Sequence, residues 1–274
     1  MTEPGIPEPA AQVRVSERTS PRRAEPRLLV TNDDGIDSPG LRLLVAELGP
    51  AFDLVVAAPD RDMSGSGTGI GRFDPAGGVD LNRVELDGVE AYTVAGPPGL
   101  AVMAAALGGF GPTPDLVVSG INAGLNTGHS VIHSGTVGAV LAARSLTGSG
   151  LAVSLASSDP WRWDTAATLA RLMVGWMLSR TGMPSVINLN VPAVPLSGVR
   201  GLRWADLDRF GYFRVATADP SGRKLQFEVT GADAGIDPGS DTALCREGFA
   251  TLTPLSTVEP EPFPSDSLPD LPVL

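Results

Sequence analysis

From residue 27 to about 192, short apolar runs that stop at polar, glycine-bearing turns alternate with segments of helical period. Leu28-Leu29-Val30 is too brief for a helix and breaks at Asn32-Asp33-Asp34-Gly35, so it reads as a buried strand ending in a turn. Ser38-Pro39 then supplies an N-cap and a first-turn proline, which predicts a helix over Pro39–Leu48 ended by Gly49-Pro50. Strands are expected at 52–59, 91–95 and 115–119, with a small alanine-rich helix from Pro98 to about residue 107. A helix opening near Thr136 carries Val137, Val140, Leu141 and Leu146, and 151–155 is a further strand. From Asp164 onward, Leu169, Leu172, Met173, Trp176 and Met177 fall at i, i+3, i+4, i+7 and i+8, which predicts a helix with all five in the core. Residues 186–191 form the last strand of the series, stopped by Pro192.

Strands alternating with helices imply an α/β fold whose largely parallel sheet is covered by helices on both faces. In such sheets ligands gather at the carboxyl ends of the strands, which is where the acidic turn stands. The pattern changes after residue 200. Segments 212–217 and 224–229 read as paired strands around Asp219-Pro220-Ser221-Gly222, with no amphipathic helix nearby. Residues 201–256 are therefore expected to be a β-rich extension whose edges suit an oligomer contact, against a core of 27–200. Residues 1–26, rich in Pro, Glu, Arg and Ala, and the acidic, proline-punctuated 257–274 are expected to be tails.

Composition narrows the function classes. A net charge of −11 argues against a general binder of nucleic acid polymers, since phosphate backbones select basic surfaces. The apolar stretches are interrupted well before the ~20 residues that a membrane span needs. The single cysteine, Cys245, excludes an intramolecular disulfide, and no hydrophobic signal segment precedes the first strand, so the expected compartment is the cytoplasm.

The chemistry concentrates at strand ends. Two bare carboxylates crowded at Asp33 and Asp34 repel unless a cation or hydrogen-bond donors offset them; the plainer reading makes them loop acids, one of them capping a helix. The segment Ser119-Gly120-Ile121-Asn122 through Ser134-Gly135-Thr136 is glycine-rich and feeds a helix amino end, which suits an anion; alternatively it is a turn with a good cap. Asp33, Asp34, Ser64 and Asn122 together offer two carboxylates, a hydroxyl and an amide, all hard oxygen donors. That set suits Mg²⁺, Mn²⁺ or Ca²⁺ rather than a structural zinc. A divalent ion beside an anion-binding helix end describes metal-assisted hydrolysis of a phosphate ester, with no organic cofactor required.

Asn32-Asp33-Asp34-Gly35 with Ser38-Pro39-Gly40, Ala58-Pro59-Asp60-Arg61 with Ser64-Gly65, Ser119-Gly120-Ile121-Asn122-Ala123-Gly124 and Ser134-Gly135-Thr136-Val137-Gly138 resemble the SurE family of survival-protein nucleotidases. Asn188-Leu189-Asn190-Val191-Pro192, Ser240-Asp241 and Leu252-Thr253-Pro254-Leu255 are similar to its pattern as well, so the resemblance spans about 27–255. It implies a Rossmann-like core with a C-terminal β extension that mediates dimers or tetramers. It also implies metal-dependent removal of phosphate from nucleoside 5′- or 3′-monophosphates, with exopolyphosphatase activity in some members. Carried over by motif position, Asp33, Asp34, Ser64 and Asn122 are the metal ligands and Asn32 supports the acidic turn. Asn122, Asn126, Ser134, Gly135 and Thr136 border the phosphate.

The chain departs from the family pattern around the substrate. Where the family continues Gly-His-Ser-Ile-Thr, this chain has Gly67-Thr68-Gly69-Ile70-Gly71; its Gly-Thr-Pro-Ala-Asp-Cys is replaced by Gly96-Pro97-Pro98-Gly99-Leu100-Ala101. Positions usually Asp and Tyr are Ser130 and His133. Both histidines, His129 and His133, lie in this one loop, where an imidazole is suited either to phosphate contact and proton transfer or to plain solvation. His133 joins Asp33, Asp34 and Asn32 as a candidate catalytic residue. The altered loops leave two alternatives open beside a nucleotidase: a phosphatase for a biosynthetic or modified-nucleotide ester, and a metal-binding regulatory homologue with weak catalysis. Haloacid-dehalogenase phosphatases need an Asp-x-Asp spacing, and deacetylases of the His-Pro-Asp-Asp-Glu type need histidines near the acids; the Asp33-Asp34 turn has neither.

Overall fold

The computed structural model describes residues 25–72, 78–180, 186–209, 215–218, 225–228 and 236–256. The expected tails 257–274 and, save for its last residues, 1–26 lie outside these, as do 212–214, the turn 219–222, Lys224 and Val229.

Strand β1 (Arg27–Thr31) leads into helix α1 (Pro39–Leu48), which starts as its sequence dictates: the Ser38 hydroxyl accepts the Leu41 N–H and Pro39 fixes the first turn. Then follow β2 (Asp53–Pro59), β3 (Leu81–Leu86), β4 (Val89–Val94), α2 (Pro98–Ala106), β5 (Leu116–Ala123), α3 (Gly135–Leu146), β6 (Gly150–Leu155), α4 (Trp163–Leu178) and β7 (Val186–Val191). The last part holds β8 (Leu202–Trp204), β9 (Val215–Ala218), β10 (Leu225–Glu228), α5 (Asp241–Arg246) and β11 (Ala250–Pro254).

Nine strands form one sheet in the order β3-β4-β2-β1-β5-β6-β7-β11-β8, parallel from β4 through β7. Central strand β1 is buried on both faces, with Leu28 facing Leu54 of β2 and Leu116 of β5 in register. One core, containing Leu28, Val30, Leu41, Leu44 and Met173, lies under α1 and α4; the other, containing Leu29, Val55, Val102 and Val140, lies under α2 and α3. This is the expected α/β architecture with helices on both faces. Among the described residues no helix is long and apolar enough to cross a membrane.

The structure differs from the sequence reading in four places. β3 pairs antiparallel with β4 as an edge hairpin through Asp87-Gly88, both with positive φ (51° and 82°), a two-residue turn of the kind Asp-Gly favours. β5 runs on to Ala123, past a register shift between Ser119 and Asn122, so the polar loop starts later than expected. In the C-terminal part, β11 pairs antiparallel with β7, β8 joins the same sheet, and α5 is a short helix; among the described residues β9 and β10 alone form a separate pair. Finally, Leu172 is 55% exposed and Trp176 only half-buried, whereas Leu169, Met173 and Met177 are core. The physical reason is that the sheet continues past α4, so these two side chains face an open groove of about 360 Å³ with Leu202 and Trp204 rather than a covered layer.

Candidate functional site

The strand order reverses between β1 and β5: the chain moves outward through β2 to β4, then crosses back to β5 on the other side of β1. Such a switch point leaves a crevice at the strand carboxyl ends, and both polar endings predicted from sequence open into it. The turn after β1 is fixed by Asn32, whose amide donates to the Gly35 carbonyl (3.0 Å) and the Ser38 hydroxyl (2.8 Å), tying strand to helix cap. Gly35 sits at φ +100°, which any other residue would adopt under strain. From β2, the Met63 N–H donates to the Asp33 carbonyl at 2.7 Å, holding the next loop against the turn.

Asp33 is buried (3% exposed), and its carboxylate accepts the hydroxyl hydrogen of Thr136 while the Gly135 and Thr136 amides also bond to it. Burial pushes its carboxyl above the usual range; these bonds pull the other way. Asp34 is half-buried, and burial first, then the neighbouring Asp33 and Asp62, push its carboxyl up to about 6. Thr136 also links Asp33 to the end of β5, its hydroxyl lying 3.4 Å from the Asn122 amide oxygen. Only glycine fits at position 135, since a Cβ there would come within 2.7 Å of the Asp33 carboxylate and 2.6 Å of the Ser66 hydroxyl. Ser134 caps α3, its hydroxyl accepting the Val137 N–H at 3.1 Å.

The fold thus brings Asp33, Asp34, Asn32, Asn122, Gly135 and Thr136 together. Ser64 is exposed one residue beyond Met63, its N–H on the Asp62 carboxylate at 2.7 Å. His133 and His129 are both exposed on the 3₁₀ turn Gly128–His133; the hydrogen bonds described for these two residues are made by their backbone, from Gly67 N–H to the His133 carbonyl and from His129 N–H to the Asp208 carbonyl. In the glycine-rich loop after β2, Gly67 packs against Ile132 and Gly138.

The sequence pattern of the survival protein SurE family matches residues 28–213. The chain belongs to the SurE family. The chain is 37% identical over 244 residues to the 5′-nucleotidase SurE of Pseudomonas entomophila, covering 84% of this chain and 91% of that one. To the 5′-nucleotidase SurE of Chloroflexus aggregans it is 38% identical over 235 residues, covering 83% and 92%. The crystal structure of the SurE protein from Aquifex aeolicus superposes with a TM-score of 0.70 at 28% identity, covering 84% of this chain and 93% of that one.

Within this SurE frame the structure adds anchors that motif reading missed. The Asn126 carbonyl accepts from the amides of Asn188 (2.8 Å) and Asn190 (2.9 Å), its N–H donates to Asn190 Oδ1 (2.9 Å), and its side chain donates to Ser154 (2.9 Å). Asn126, which the family resemblance places beside the phosphate, thus clasps the loop to β6 and β7. Farther on, the Gly128 N–H donates to buried Asp241 at 2.9 Å, and the same carboxylate accepts the Asp208 N–H at 3.0 Å. Fully buried polar residues in otherwise apolar strands, Ser154, Asn188 and Asn190, were the available signal.

The donor chemistry fits a hard divalent cation. Two carboxylates repel where they meet, and the Asn32 amide oxygen is buried with no partner among the described residues. Among the described residues no three His, Cys, Asp or Glu side chains cluster, so such an ion would complete its shell with amide, hydroxyl and water oxygens, as Mg²⁺ commonly does.

Proposed function

We propose that this chain hydrolyses small phosphomonoesters, nucleoside 5′- or 3′-monophosphates by default, at the Asp33-Asp34 turn with the aid of Mg²⁺ or Mn²⁺. That it is a phosphoric monoester hydrolase rests on relatives bearing the 5′-nucleotidase name over most of its length. The observation that carries the site is the meeting of Asp33 and Asp34 with Asn122 and the amino end of α3 at the switch point of the sheet.

Asp33, Asp34 and Asn122, with Ser64 from the neighbouring loop, are the residues that would hold the cation. When bound it supplies an activated water and positive charge against the phosphoryl oxygens. The chain's own groups do the rest. Thr136 and the amides of Gly135 and Thr136 fix the Asp33 carboxylate in one orientation, Asn32 locks the turn that aims Asp34, and the α3 amino end favours a nearby anion. His133 is exposed on the adjoining turn.

The test is phosphate release from a panel of nucleotides and sugar phosphates with Mg²⁺, Mn²⁺ or EDTA. Turnover should vanish in EDTA and return with added metal, and Asp34→Asn should lower kcat/KM by about a hundredfold or more. Full activity in EDTA, or in Asp34→Asn, overturns the reading. Metal-dependent binding of an ester without turnover supports a regulatory homologue instead.

A further inference from the structure

We propose that Trp163, backed by Trp161, is the wall on which the leaving group of the substrate stacks, so that the cavity beside Asp34 is a nucleobase subsite. The proposal rests on the phosphomonoester reading above and identifies what lies on the far side of the bond to be broken.

A cavity of about 370 Å³ opens at Asp34 and is lined by Ser38, Pro39, Gly40, Ala123 and Trp163, with Asp37 at its edge. That volume suits a small organic group. Its chemistry is selective. The described lining holds two carboxylates and an indole but no Lys, Arg or His, and the Ser38 hydroxyl is already engaged by Asn32 and the Leu41 N–H. A second phosphate or a carboxylate on the leaving group would face acids with no counter-charge. A flat, uncharged ring would meet an indole, the arrangement in which aromatic groups attract beyond simple burial.

The indole is held in place before any ligand arrives. Trp163 is the first residue of α4, and buried Thr165 two positions on fixes that helix end by donating its hydroxyl to the Val194 carbonyl at 3.0 Å. Trp161 stacks on Trp163 with ring centroids 4.8 Å apart and planes 15° from parallel. Gly40 lets α1 come close both to β5 and to one corner of the indole: a Cβ there would lie 3.1 Å from a single carbon of the Trp163 ring and overlap the Ile121 carbonyl. A wall ordered in advance loses little freedom on binding.

Adenosine 5′-monophosphate and ribose 5-phosphate share phosphate and sugar and differ by the base, so they separate this subsite from the reaction. In Trp163→Ala, KM for adenosine 5′-monophosphate should rise about tenfold or more, as loss of a base-stacking aromatic does elsewhere. For ribose 5-phosphate, kcat/KM should stay within about twofold, and Trp163→Phe should restore most of the nucleotide KM. Equal losses on both esters, or no change on either, overturn the proposal. Calorimetry with adenosine alone reads the subsite without turnover. If neither ester is hydrolysed but adenosine binds to wild type and not to Trp163→Ala, the hydrolase reading fails and the subsite stands. If both esters are hydrolysed and adenosine does not bind, the subsite falls and the hydrolase reading stands.

Discussion

Asp34 holds its proton further up the pH scale than an ordinary aspartate, because burial and the adjacent Asp33 and Asp62 all disfavour its charge. Between the unfolded value of 3.8 and the folded value of about 6, the folded chain therefore binds more protons than the unfolded one. Stability contributed by the neutral carboxyl is fully present below that window and is lost as pH rises through it. Asparagine cannot ionise. In metal-free buffer, Asp34→Asn should melt a few degrees above wild type at pH 7.5, and the gap should close toward pH 4. A difference in Tm that is the same at both pH values would count against the crowding of Asp33 and Asp34. Asn32 and Thr136 work at the same scale, their hydrogen bonds setting the shape of one turn.

Among the elements, α3 depends most on what it lacks. Gly138 in its second turn lies under the Gly67 carbonyl so closely that an added Cβ would overlap it. Gly138→Ala should thus push α3 and the 63–69 loop apart, costing about 1–3 kcal/mol as overpacking does. Thermal melting should show the loss, and kcat should fall with it, because Thr136 and Gly135 on the same helix orient Asp33. Unchanged melting and unchanged kcat would mean that the two segments part without consequence. The helices and central strands were legible because their signals are local: Ser38-Pro39 and Ser134-Gly135 at the caps, β-branched runs in β1, β2 and β5. The β3–β4 hairpin was missed although Asp87-Gly88 marks it, since Asn82, Arg83 and Glu85 make β3 look like loop. Leu172 and Trp176 were placed in the core because periodicity shows which residues share a helix face and not how far the sheet beneath extends. The acidic turn and Asn122 could be read from motifs; the Asn126 clasp and the Trp163 cavity could not, because their parts come from distant segments.

At the scale of the whole molecule, the crevice exists because β1 stands between β2 and β5, each half of the sheet contributing one wall. The C-terminal part then reaches back to it through Asp241, which takes the Gly128 N–H from the loop leading to α3 and the Asp208 N–H from the other side. Asp241→Ala leaves both buried donors unpaired, at about 1–3 kcal/mol each. Hydrogen exchange across 128–134 should quicken, and activity should drop although no residue that meets substrate has changed. Exchange as slow as in wild type would show that other ties suffice. The order of synthesis gives this tie a further meaning. Asp33 and Asp34 leave the ribosome early and Asp241 late, so a growing chain carries its acids long before the loop beside them is fastened. A nascent chain that stops short of Asp241 has nothing at that position to take the Gly128 N–H.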